Sequence, residues 1–84
     1  MYLHVTGTLT DADRIAPYLD EERRVAAELQ AEGILKQVYR RSHSPGVFII
    51  IEANDLDDAH RQMGRLPLVA GGLLTLEFVE IDGA

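Results

Sequence analysis

Apolar and polar residues alternate from Tyr2 to Leu9, with Leu3, Val5 and Leu9 on one side and Tyr2, His4, Thr6 and Thr8 on the other. A period of two predicts a half-buried strand. The period then lengthens. From about Ala16 to Ala31, Tyr18, Val25, Ala26 and Leu29 fall on one stripe of a helical repeat. Pro17 suits the first turn, and Asp20, Glu21 and Glu22 lie where the helix dipole favours anions. Gly33 follows, where a left-handed cap residue is wanted.

Ile34 to Arg41 reads as a second strand, its apolar Ile34, Leu35, Val38 and Tyr39 set among basic residues. Ser42-His43-Ser44-Pro45-Gly46 is a turn, because Pro-Gly joins a fixed φ to a permissive one. The run Val47-Phe48-Ile49-Ile50-Ile51 is apolar on both faces, the pattern of a central, doubly covered strand. Asn54 or Asp55 can cap a second helix over Leu56–Gly64, whose apolar side carries Leu56, Ala59 and Met63. Gly64 and Pro67 stop it. A last strand, Leu73 to Ile81, sets Leu74, Leu76 and Phe78 against Thr75, Glu77 and Val79.

The order βαββαβ predicts an α+β, ferredoxin-like domain spanning residues 1–84, with a four-stranded antiparallel sheet and both helices on one face. Right-handed crossovers put the first and third strands in the middle. The third strand is nevertheless apolar on the face that no helix covers. That face would expose a large patch beside His4, Thr6, Thr75 and Glu77, which monomers seldom tolerate. A second copy docked sheet to sheet is the expected cover.

Composition agrees. Eighty-four residues make one domain with a small core, and with no Cys there is neither a disulfide to brace it nor any sign of secretion. His4, His43 and His60 lack metal-ligand spacing, so no metal is expected. Eight basic against fourteen acidic residues give a net charge of −6, and the one basic cluster is Lys36, Arg40 and Arg41. Such a balance argues against nucleic acid and anionic membranes as partners. No signal-peptide pattern or membrane-length apolar run occurs, and a cytoplasmic location is expected.

Phosphate-binding glycine loops, nucleophile elbows and cysteine nucleophiles are all missing. Acid–base chemistry or binding remains. His4 is a proton-transfer candidate near neutrality, or else a side chain hydrogen-bonded within the sheet or an interface. Tyr39 and Arg40 adjoin and so point to opposite faces. Arg40 or Arg41 could fork a carboxylate, although charges on an outer strand also protect an edge. Glu22 reads as a helix-dipole acid on a solvated face. Glu52 and Glu77 are strand carboxylates that burial would perturb.

Several segments resemble one family when taken in order. Met1-Tyr2-Leu3-His4-Val5 is similar to the Met-Leu-Phe-His-Val start of the muconolactone isomerases. Glu22, Ala26, Leu29-Gln30 and Glu32-Gly33 resemble their E-x-x-x-A-x-x-L-Q-x-E-G helix end. Tyr39-Arg40 stands where they have Trp-Arg, Lys36 where they have another basic residue, His60 where they have Leu-His, and Leu66-Pro67-Leu68 matches their Leu-Pro-Leu. The resemblance implies a dimeric α/β barrel of two ferredoxin-like subunits, sometimes built into larger rings. It also implies cofactor-free proton transfer on a small carboxylated lactone, in the breakdown of aromatic compounds. By position Glu22 would be the base, Arg40 the anion clamp with Lys36 beside it in substrate binding, and His4 or Tyr39 donors in the pocket.

There are departures. Val69-Ala70-Gly71-Gly72 replaces an aromatic stretch, the third strand is apolar where the family's is polar, Arg23 replaces a Lys, and the sequence ends at Ala84 without the longer family tail. A substrate other than muconolactone is therefore expected, with isomerisation or cyclisation the favoured chemistry. Cofactor-independent oxygenation is a related option in the same fold class. The alternative from another class is a non-catalytic barrel subunit for binding or assembly.

Overall fold

The computed structural model describes residues 1–82; the chain end named above, Gly83 and Ala84, lies outside them. Strand β1 (Tyr2–Leu9) is followed by two short 3-10 turns, Ala12–Arg14 and Ala16–Tyr18, and then helix α1 (Leu19–Ala31). Strands β2 (Leu35–Arg40) and β3 (Gly46–Glu52) form a hairpin. Helix α2 (Leu56–Met63), a single helical turn α3 (Pro67–Ala70) and strand β4 (Leu74–Ile81) complete the chain. The sheet is antiparallel throughout, in the order β2-β3-β1-β4, so β1 and β3 are central as expected.

The helices cover one face. Leu3 and Val5 of β1 and Ile49 and Ile51 of β3 meet Val25 and Leu29 of α1 and Ala59 and Met63 of α2 in the main core. A smaller cluster of Leu68, Leu73 and Leu74 closes one end. Gly33 takes the left-handed conformation expected after α1, with φ +80°.

Of the two proposed caps for α2, Asp55 is the one used. Its Oδ1 accepts from the Asp58 N–H at 2.7 Å, while Asp58 Oδ2 accepts from the Asn54 N–H at 2.9 Å. The exchange satisfies otherwise orphaned amides at the helix start.

Three local features differ from the sequence reading. Residues 16–18 form a 3-10 turn, closed by the Tyr18 N–H on the Ile15 carbonyl at 2.9 Å, and the α-helix begins only at Leu19. Pro67 stops nothing; it opens α3, where a residue without an N–H fits best. The third difference matters most. Leu35 pairs with Ile51, but Gln37 pairs with Ile50, so a β-bulge at Lys36 adds one residue to β2. Beyond it the alternation is reversed. Val38 and Arg40, opposite Ile49 and Val47, face the helices, while Gln37 and Tyr39, opposite Ile50 and Phe48, face away.

Candidate functional site

A cavity of about 660 Å³ opens between α1 and the sheet, at the end where β1 and β2 finish and β3 and β4 begin. The walls are mostly aliphatic: Leu35, Val38, Val47 and Ile49 from the sheet, Leu19 and Ala26 from α1, Leu66 and Leu68 from around α3. Within this lining stand Glu22, Arg23, Arg40, Arg41 and Ser44. A largely apolar concavity with a few polar groups is the usual form of a small-molecule site.

Glu22 projects from α1 on the stripe Leu19, Glu22, Ala26, next to the buried Val25–Leu29 stripe. Its carboxylate is half-buried, and Oε1 accepts a hydrogen bond from the Leu68 N–H at 2.9 Å. Burial pushes the Glu22 carboxyl up from its ordinary value, and the Leu68 N–H offsets part of that rise. Glu22 is therefore not the solvated helix acid that composition alone describes.

Arg40 reaches the same cavity because of the bulge at Lys36. Arg14, Arg23, Arg24, Lys36, Arg61 and Arg65 each pair with a carboxylate. Arg40 and Arg41 are the two Lys or Arg residues without such a partner among the described residues, and both line the cavity. In a chain of net charge −6, the cations left for an outside anion are gathered at one place.

They are not equivalent. Arg41 is already engaged: its Nη1 donates to Thr8 Oγ1 at 2.9 Å, and the guanidinium sits 5.2 Å from the centre of the Phe48 ring on the far side of the sheet. Arg40 is the freer of the two.

The other sequence candidates lie elsewhere. His4 is paired with Ile50 and Val79 on the open face, its ring 5.5 Å from that of Phe48. Tyr39, opposite Phe48, is on the same open face and donates its hydroxyl to Gln37 Oε1 at 3.2 Å. The expectation that His4 or Tyr39 would be a donor in the pocket with Glu22 is corrected, because strand parity puts the sheet between them. Lys36 sits at the bulge, bound to Glu52 at 3.3 Å, away from the cavity. His60 packs its ring on Phe78 at 4.3 Å, and Glu77 is exposed on the open face opposite Thr6.

Sequence reasoning missed the Leu68 amide, a backbone group that no side-chain pattern reveals, although Leu66-Pro67-Leu68 stood out as a motif. No group of three or more His, Asp or Glu among the described residues could hold a metal ion. No described helix is long and apolar enough to cross a membrane.

The fold is an α+β chain with an acid-bearing cavity between α1 and its antiparallel sheet. Solved structures it is similar to include muconolactone isomerase, with a TM-score of 0.80 at 19% identity over 100% of this chain and 91% of that one, and a 5-chloro-2-hydroxyhydroquinone dehydrochlorinase from Burkholderia phenoliruptrix, solved in complex with 2,5-dihydroxybenzoquinone. The second gives a TM-score of 0.84 at 14% identity, over 100% of this chain and 96% of that one. The chain thus has the muconolactone isomerase-like fold. No protein-family model matches it, and no curated protein matches its sequence.

Proposed function

We propose that this chain is an isomerase-type enzyme that moves a proton along a small unsaturated carboxylate, such as a carboxylated lactone or another product of aromatic-ring breakdown. The observation that carries this reading is one cavity holding a half-buried, amide-bound carboxylate, Glu22, and a guanidinium without a carboxylate partner, Arg40. Glu22 takes a proton from the acidified C–H, the electron pair moves onto the carbonyl oxygen as an enolate, and Glu22 returns the proton to a second carbon. A carboxyl raised by burial is a stronger base, closer in pKa to the carbon acid it serves. Arg40 holds the substrate carboxylate as a two-pronged donor. Arg23 and Ser44 are the remaining polar groups of the cavity from which the enolate oxygen can draw a donor, since the Arg41 guanidinium is engaged on the open face. Lys36 and the open-face pair His4 and Tyr39 have no part in this scheme.

The same reading makes the chain a homodimer. Tyr39, Phe48 and Val79 are 55%, 36% and 56% exposed on the sheet face that the helices leave bare, and a second copy would cover them. The cysteine-free composition fits a cytoplasmic setting. A non-catalytic subunit would be served by a barrel packed solid; the aliphatic cavity with its acid and base partners favours catalysis.

The test is turnover of a panel of unsaturated lactone acids and their methyl esters. The acids should be isomerised at least about tenfold faster than the esters, as the loss of one charge-assisted pair implies. Glu22→Gln should lower the rate by about 10²- to 10⁴-fold, the usual contribution of a general base. Equal rates for acid and ester, or an active Glu22→Gln enzyme, would reject these roles.

A further inference from the structure

We infer that the backbone amide of Leu68, aimed by Pro67, is the positioning group for the Glu22 carboxylate: it occupies Oε1 and leaves Oε2 alone to face the ligand. This rests on Glu22 acting as the base. The hydrogen bonds of the segment carry the inference. The amides of Leu66, Val69, Ala70, Gly71, Gly72 and Leu73 all donate to backbone carbonyls, at 2.8–3.1 Å. Pro67 has no N–H. Leu68 is left as the one amide of residues 66–73 that turns outward, and it goes to Glu22 at 2.9 Å.

Both sides of that bond are immobilised. The Leu68 side chain is buried with Leu73 and Leu74, and the fixed φ of Pro67 sets the plane from which the amide projects. Any other residue at 67 would add a second N–H with no place in the turn.

The carboxylate is divided by this contact. No buried side-chain oxygen lacks a partner among the described residues, yet Oε2 of Glu22 has no protein donor. Oε2 is therefore accessible, on a side chain that lines the cavity. A carboxylate free to rotate would present either oxygen in many orientations, and holding it near one geometry is what a proton transfer over about 3 Å requires.

The test replaces the Leu68 amide by an ester, which removes the N–H and keeps the side chain. The readout is the pH titration of the Glu22 carboxyl carbon by NMR, which needs no substrate. An N–H donated to the charged form favours that form. The Glu22 midpoint should therefore rise in the Leu68 ester relative to the wild type, and the acidic limb of the pH–rate profile should move up with it. The matched control is an ester at Val69, whose N–H bonds to the Leu66 carbonyl at 3.0 Å; it weakens the same turn and should leave the midpoint in place. Pro67→Ala, made by ordinary mutagenesis, should shift the midpoint in the same direction by less. An unmoved midpoint in the Leu68 ester and Pro67→Ala, or an equal shift in the Val69 ester, would overturn the inference. The base assignment itself falls only if Glu22→Gln keeps its turnover.

Discussion

Glu22 ties the chemistry of the cavity to the stability of the fold. Its carboxyl is raised by burial, so the folded state binds the proton more tightly than the unfolded chain does. The sign of the linkage follows. The contribution to stability is complete below the ordinary carboxylate range and is lost as pH rises through the elevated folded value. Glu22→Gln, which keeps an oxygen for the Leu68 N–H, should therefore melt higher than the wild type at neutral pH. The two should converge in acid, as calorimetry across the pH range can check. A base that weakens its own fold is what a functional carboxylate looks like, and a purely structural one would show the reverse. Asp58 is such a case. Its carboxyl is held below the usual range, first by the Asn54 N–H and then by Gln62, so its support is present at neutral pH and lost as pH falls.

Glu22 was legible in the sequence as a position and invisible as a chemistry. A run of Asp20, Glu21 and Glu22 reads as a solvated helix start, and only packing against the segment around Leu68 distinguishes the third acid from the first two. His4 and Tyr39 were legible in the opposite sense. Both are polar residues on known strands; the plain alternation of β1 keeps His4 on the open face, whereas the side Tyr39 serves depends on β2 parity, which the bulge at Lys36 reverses. Counting by twos from the buried Leu35 would turn Tyr39 inward and Arg40 out. The structure has Arg40 in.

At the scale of elements, the strands and helices were legible because each carries its own period and its own punctuation. The turn α3 was not. Four residues are too few to show a helical period, and a proline that ends one element cannot be told by sequence from one that begins the next. Two substitutions probe how tightly these elements are specified. Gly46 has φ +145°, and a Cβ added there would stand 2.0 Å from the Gly7 carbonyl oxygen, backbone that cannot yield without parting β1 from β3. Gly46→Ala should cost about 3 kcal/mol or more in urea unfolding, because both the backbone conformation and the strand pairing oppose it. Asp55→Ala removes the side-chain cap of α2 and should cost about 1 kcal/mol by the same measurement. A difference of this size between the two places the greater constraint in the sheet.

At the scale of the whole molecule, the two faces of the sheet divide the work. The covered face supports the core and the cavity. The open face carries Tyr2, His4, Phe48, Ile50 and Val79, with Tyr39 alongside. A stable partner there must bury an area of about 800 Å² per chain, which a four-stranded sheet of this size can offer. Sedimentation should find a dimer at micromolar concentration, and Val79→Lys should shift it to monomer while its far-UV circular dichroism stays that of the wild type. A wild-type chain that sediments as a monomer would remove the dimer from the proposal and leave the cavity untouched.

Deuterium uptake from D₂O reads proton transfer by Glu22 at the reacting carbon itself. Unsaturated lactone acids are incubated with wild type and with Glu22→Gln, and exchange at the acidified C–H is followed by proton NMR. The wild type should exchange label well above the uncatalysed rate, and Glu22→Gln should fall about 10²-fold or more toward that background. Exchange that is equal in the two proteins would contradict a role for Glu22 in the chemistry.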